Sequence, residues 1–387
     1  MRERRRRKRR STAMAVVLAL VTGTALAAGG VAVTLAADGG SDGSGDGSGG
    51  GGGGGKGGGP KRPFTVAFGG DVHFEGMLRA RLDSAPDTAL GPVAEQLKRA
   101  DLAMVNLETA VTTGGTQAPK QFAFRAPPTA FRALRSAGVD VTTMANNHGM
   151  DFGETGLTDS LAAGRQAGMP LVGIGRNAAE AYKPYTVTVK GAKVAVIGAT
   201  QVLDDNLIQA WTATDAKAGL ASAKNVPRLV QAVLAARKAA DVVIVNLHWG
   251  QELNSCATPV QRQLAAQLAD AGADAVVGSH AHVLQAGGYL RKSYVHYGLG
   301  NFVFYNSSGR TAQSGVLTLT FDPGPGGQGG AKARGAKTGA SRVAKADWAP
   351  AVINGGIPRP LSGAEAQTAR TRWESLRTCA DVRPGPS

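Results

Sequence analysis

The sequence predicts one large α/β domain built on a mixed sheet. Between residues 63 and 322, short β-branched runs alternate with longer helical stretches. Two of those runs are joined by a tight glycine-containing turn, so antiparallel pairing accompanies the parallel pairing. The stretches 38–62 and 323–342 that flank it are poor in apolar residues and supply no second core.

The strands expected from the β-branched runs are 64–69, 102–107, 140–144, 170–174, 185–189, 193–199, 242–247, 275–278, 293–297 and 316–321. Helices are expected over 90–99, 129–137, 154–166, 226–239 and 259–271. The hairpin is read from Tyr185–Lys190 and Lys193–Ala199, with Gly191–Ala192 as its turn. Residues 346–360 regain apolar character after a basic stretch, so the chain is expected to return to the core there.

The ends organise differently. Residues 1–12 form a basic segment, and 13–37 an Ala/Val/Leu-rich run long enough to cross a bilayer core at ~1.5 Å per residue. Residues 38–62 form a Gly/Ser-rich linker, 63–322 the catalytic-type domain, 323–342 a basic Gly-rich loop, and 343–387 a C-terminal extension packing back on the domain. The positive-inside rule keeps the arginines in the cytoplasm and puts the rest outside. A single-pass cell-membrane protein with an extracellular domain is therefore expected, or a secreted one if the segment is a cleaved signal peptide.

The net charge of +15 belongs to the tails. Residues 1–10 and 331–345 together carry +12 of it, which leaves the remainder near neutral. That balance argues against a nucleic-acid partner, as does the lack of aromatics interleaved with either basic block. The two cysteines, Cys256 and Cys379, suit one disulfide in an oxidising compartment, holding a C-terminal helix near Trp249; two free buried thiols are the alternative.

Five of the six histidines lie at or just past the ends of expected strands. The first such end delivers Asp71 and His73, the second Asn106 and Glu108, the third Asn146, Asn147 and His148. The fourth delivers His248, and the fifth His280 and His282, whose i, i+2 spacing on an extended segment would aim both rings one way. Ligands bind outside the carboxyl ends of strands in α/β sheets, because the loops converge there. Each group alone reads equally well as a cap, a turn or a satisfied core histidine; their common placement carries the inference. Imidazole, carboxylate and amide donors without thiolate suit Mn, Zn or Fe, and so many donors suit two divalent cations about 3.5–4 Å apart. His296, mid-strand, reads as structural.

These motifs resemble the CapA (poly-γ-glutamate capsule biosynthesis) family of the metallo-dependent phosphatase superfamily. The resemblance rests on Gly-Gly-Asp71, Asn106-Leu-Glu108, Asn146-Asn147-His148-Gly-Met-Asp151, His248-Trp-Gly, Gly-Ser-His280-Ala-His282 and Gly-Asn301-Phe. It implies a calcineurin-like α/β/β/α sandwich. It also implies Asp71, His73, Glu108, Asn147, His248, His280 and His282 as metal ligands, with Asp71 shared between two metals. His148 would be the proton donor, and Asn301 would line the site. Glu108 stands where the superfamily has Asp, and Ala281 where the family more often has Pro. The implied function is a metal-dependent phosphoesterase-like hydrolase of envelope polymer metabolism, with the polymer or capsule assembly proteins as partners; the alternative is a non-enzymatic component of capsule or polyglutamate assembly.

Overall fold

A computed structural model describes residues 60–305, 307–324 and 342–386. The basic segment, the apolar run, nearly all of the linker and most of the basic loop lie outside those residues. Among the described residues no helix is long and apolar enough to cross a membrane.

Two mixed sheets stack face to face. The 8-stranded sheet runs in the order Ile357–Pro360, Val343–Asn354, Gln313–Phe321, Phe64–Val72, Leu102–Leu107, Val141–Thr143 and Leu171–Val172, with Asn301–Val303 paired to the far end of Phe64–Val72. The 6-stranded sheet runs Gly287–Leu290, Ser293–His296, Ala275–Ser279, Val242–His248, Ala192–Thr200 and Tyr185–Val189. Helices cover both outer faces, so the layers read helix, sheet, sheet, helix.

Side-chain alternation along the strands explains the layering. Val66, Phe68, Met104, Val194, Val196, Val242 and Ile244 point between the sheets into one shared core. Ala67, Ala103 and Val105 point the other way, onto the helices Thr129–Ser136 and Gly153–Gln166. Ala195, Ile197, Val243 and Val245 meet the helices Val226–Ala239 and Pro259–Asp270. Strands buried on both faces need apolar residues at every position, hence the unbroken runs.

Several elements differ from their expected form. The 90–99 helix is a 3-10 turn at Gly91–Val93 followed by a short helix, Ala94–Lys98. The 170–174 strand is interrupted at Gly173, whose φ of 84° breaks the extended backbone. The hairpin turns at Lys190–Gly191 instead, both with positive φ, one residue before the expected pair. Val343–Asn354 and Ile357–Pro360 add two strands to the first sheet, so the return to the core is made by sheet pairing.

Candidate metal centre

Both sheets end at one edge. Asp71 sits where the Phe64–Val72 strand shifts register against Leu102–Leu107 and again against Asn301–Val303. Such irregularities re-aim a side chain. A Cβ on Gly70 would stand 2.0 Å from the Gly300 oxygen. Only glycine therefore lets the strand pass that loop and place Asp71 beside Asn301. On the facing sheet, Val242–His248 ends in register with Ala275–Ser279, bringing His248 opposite Ser279. A Cβ on Gly278 would lie 2.1 Å from both Trp249 Nε1 and the Tyr297 oxygen, which explains the small residue there.

Donor atoms from the two sheets converge. His248 Nε2 lies 2.7 Å from Asn147 Oδ1, 3.1 Å from His280 Nδ1 and 3.5 Å from Glu108 Oε1. His282 Nδ1 lies 3.5 Å from Asp71 Oδ2 and donates to Asn301 Oδ1 at 2.8 Å. Three groups have ligand atoms within 4.8 Å of one another: Glu108, His248 and His280; Asp71, Glu108 and His282; and Glu252, His280 and His282. Glu108, His280 and His282 each belong to two of them.

The amides named from sequence act as struts. Asn106 donates from Nδ2 to Asp71 Oδ1 at 2.8 Å, and Asn146 donates to Asn106 Oδ1 at 3.0 Å and to the Leu107 carbonyl at 2.9 Å. Asn301 also donates to the Thr311 carbonyl at 3.2 Å. His148 packs against the rim. Its Nδ1 is 2.6 Å from Asp151 Oδ2, and its Nε2 is 3.9 Å from Glu108 Oε1.

His73 stands apart from the three groups. Its Nδ1 accepts the Glu75 N–H at 3.0 Å, and its ring stacks on Phe124, which stacks in turn on His148. The segment carrying His280 and His282 is not extended, contrary to the sequence expectation. Their φ values are 95° and 55°, and this left-handed turn, not strand alternation, brings the rings to 5.8 Å.

Electrostatics test whether these residues fit a cation. Burial pushes the Glu108 carboxyl well above its usual range, with the neighbouring Asp71 charge adding to the shift. Burial also raises Asp71, although the His282 charge and the Asn106 hydrogen bond oppose it. Burial holds His248 far below the ordinary imidazole range and His280 at about 3, so both rings are neutral and present nitrogen lone pairs. Both Glu108 oxygens are buried without a hydrogen-bond partner among the described residues. A buried acceptor so placed costs roughly 1–3 kcal/mol, more if charged. Neutral imidazoles and unsatisfied carboxylate oxygens at one point fit a divalent cation.

Sequence reasoning passed over several contributors. Glu252, exposed and four residues past His248, is indistinguishable in sequence from a solvated glutamate. Lys120 reaches Asp151 Oδ1 at 3.0 Å and Asp204 Oδ2 at 3.4 Å. Ser279 lies 3.0 Å from His248 Nδ1. The aromatic pair Phe124 and Phe304 contacts His73 from loops with no helical or strand period.

The Cys256–Cys379 disulfide is present, with Cα atoms 5.4 Å apart. It joins the loop that carries Glu252 to the end of the Gly363–Ser375 helix region.

Comparison with known proteins identifies the family. The chain is 33% identical over 233 residues to the capsule biosynthesis protein CapA of Bacillus anthracis, covering 58% of this chain and 56% of that one. It is 30% identical over 265 residues to the PGA biosynthesis protein CapA of Bacillus subtilis (strain 168), covering 65% and 66%. It thus spans about half to two thirds of the length of these relatives. Among solved structures, a novel phosphatase from Mycoplasma pneumoniae superposes with a TM-score of 0.45 at 14% identity, over 76% of this chain and 94% of that one. The family model for the bacterial capsule synthesis protein PGA_cap matches residues 65–306, more than half of the chain, and the chain belongs to that family.

Proposed function

We propose that this chain is a metal-dependent hydrolase cleaving a phosphoester or related bond in cell-envelope polymer metabolism. The observation that carries the reading is Glu108: a buried carboxylate with no partner for either oxygen, facing the ring nitrogens of His248 and His280. Asp71, His73, Glu108, Asn147, His248, His280 and His282 would hold two divalent cations, with Mn, Zn and Fe matching the donor set. Bound cations would supply charge neutralisation for a phosphoryl group and acidify the attacking water. His148, braced by Asp151 at 2.6 Å, would pass a proton to the departing oxygen, for which its ring must carry a second proton, on Nε2. Lys120 on the other Asp151 oxygen restrains that pair. For His73 to join, its ring must exchange its bond with the Glu75 N–H for a metal.

The reading includes a cell-membrane location, with residues 13–37 as the span and the domain outside, or secretion if that segment is removed. Elemental analysis of the purified protein, paired with a phosphodiester assay on wild type and His280→Ala, tests it. Bound transition metal and hydrolysis, both lost in His280→Ala, are expected. A folded wild type lacking both rejects the reading.

A second reading is favoured by the relatives' names, which specify biosynthesis and not hydrolysis. In it the domain is a non-enzymatic part of capsule or polyglutamate assembly, and the basic segment 331–345 contacts the polymer. Unchanged polymer binding after deletion of 331–345 rejects it.

A further inference from the structure

Next to His282, on the side of the C-terminal helix, lies a second site. Cavities of about 440 and 640 Å³ share Leu284, Gly309, Gln313 and Arg372, and so form one groove. Its near end adjoins the candidate metal centre. Val283 and Leu284 directly follow His282, and Ser255 belongs to the loop that carries Glu252. The turn bearing Arg310 is tied to His282 through Asn301, which bonds both the Thr311 carbonyl and the His282 ring.

The near end is cationic. Arg310 and Arg372 both line it. Among the described residues Arg310 meets the Ser255 hydroxyl alone, at 3.5 Å. Among the described residues no carboxylate pairs with either guanidinium. Nearby arginines behave otherwise: Arg370 pairs with Asp347 at 3.4 Å and Arg262 with Asp381 at 3.2 Å. Two guanidiniums on one groove, without counter-charge among the described residues, suit a doubly charged phosphate or diphosphate.

The far end is apolar. Trp348, Pro350, Leu361, Ala364 and Ala369 wall it along the Gly363–Ser375 helix. Its one acid, Glu365, repels an anionic head and so orients any amphiphile with its head at the arginines. A free inorganic anion would leave the apolar half uncovered, and a neutral hydrocarbon would leave the guanidiniums uncompensated. The Cys256–Cys379 bridge joins the two walls, so the groove is already shaped before a ligand arrives.

We propose that this groove binds a phosphorylated lipid, its phosphate or diphosphate between Arg310 and Arg372 and its chain along the C-terminal helix. Binding stands on the groove alone. Its bearing on turnover rests on the hydrolase reading, for which it names the substrate class: a lipid-linked phosphate that docks first at the arginines and passes afterwards to the centre beside His282.

The test is photo-cross-linking of the full-length protein with a C15 isoprenyl diphosphate bearing a terminal diazirine, in metal-loaded and chelated samples. Expected adducts fall within residues 348–372. Labelling should drop about tenfold or more in Arg310→Gln/Arg372→Gln, and likewise in Ala369→Trp, which fills the tail half and spares the arginines. Unlabelled probe should compete, whereas inorganic diphosphate, the isoprenyl alcohol or an acidic peptide at equal concentration should not. Adducts elsewhere, labelling indifferent to the variants, or equal competition by any of those three would overturn the proposal. Loss of labelling on chelation would overturn it too, by putting the head on the metals. Should the arginine variant fail a thermal-melt check, Ala369→Trp and the competition arms decide. A protein that labels as expected but neither holds metal nor hydrolyses esters would sink the hydrolase reading alone.

Discussion

His280 and His296 are both buried, and desolvation holds both rings at about 3. Their surroundings have nothing else in common. His280 stands past a strand end among Asp71, Glu108, His248 and His282, with the two sheets contributing from opposite sides. His296 is the last residue of the Ser293–His296 strand, with Trp348 and Trp373 packed on it at 5.8 and 5.7 Å and, among the described residues, no hydrogen-bond partner for either ring nitrogen. A depressed histidine is thus a statement about burial. What makes one region a candidate centre is the arrival of unsatisfied carboxylate oxygens beside the imidazoles.

The sharpest way to break this comparison is to neutralise Glu108 without changing its shape. Glu108→Gln should cost metal affinity at least about 100-fold, since it removes a charged donor common to two ligand groups. In chelated protein the same change should be neutral or stabilising, because it removes a buried carboxylate with no partner. Isothermal titration with Mn²⁺ or Zn²⁺, and thermal melts with and without chelator, read the two effects. Wild type at about 100 times the dissociation constant should gain roughly 2.7 kcal/mol from metal, a gain that shrinks to about 0.4 kcal/mol or less in the variant. A variant that binds metal like wild type would dissolve the distinction between the two regions.

Acid sharpens the comparison from the other side. The folded His296 is held near 3 against an ordinary value of 6.5, so between those pH values the unfolded chain takes a proton that the folded chain refuses. Stability must then fall as pH drops below 6.5, by about 1.4 kcal/mol per pH unit for this one group. His296→Phe keeps a ring between the tryptophans and removes the proton. Denaturant melts from pH 7 to 4.5 should show the variant gaining on wild type by roughly 2–3 kcal/mol, with metal binding at pH 7 unchanged. An equal slope in both proteins would place the acid sensitivity elsewhere.

Much of this difference could be read before any coordinates. His73, His148, His248, His280 and His282 follow β-branched runs with glycine, asparagine or aspartate close by, whereas His296 lies inside such a run, although in the structure it is that strand's last residue. The alternation of Val66, Ala67 and Phe68 is compatible with burial on both faces, but no local pattern says which sheet a strand joins. Val343–Asn354 pairs with Gln313–Phe321 across an intervening basic stretch, and pairing at that separation has no short-range signature. The site was harder at its periphery. Glu252, Lys120 and Ser279 are polar residues of ordinary type, and only the folded chain brings them to the histidines. The i, i+2 spacing of His280 and His282 suggested strand geometry, yet two positive φ values put the rings together by a tight turn that spacing cannot reveal.

The smallest expected effect concerns how His248 is held. Its Nδ1 lies 3.0 Å from Ser279 Oγ, and that hydroxyl lies 3.4 Å from the Leu247 carbonyl. A proton on Nδ1 donated to Ser279, whose own proton turns to Leu247, fixes the tautomer that leaves Nε2 bare toward Glu108, His280 and Asn147. Ser279→Ala removes that support while deleting no ligand. Metal affinity should fall about tenfold, the lower end of what loss of such an outer partner costs. Ser279→Thr, which retains the hydroxyl, should restore most of it. If Ser279→Ala binds metal as wild type does, the Ser279 hydroxyl does not set the tautomer; the Asn106 amide is no substitute, because its Nδ2, 3.2 Å from the same Nδ1, is a donor and calls for the opposite one.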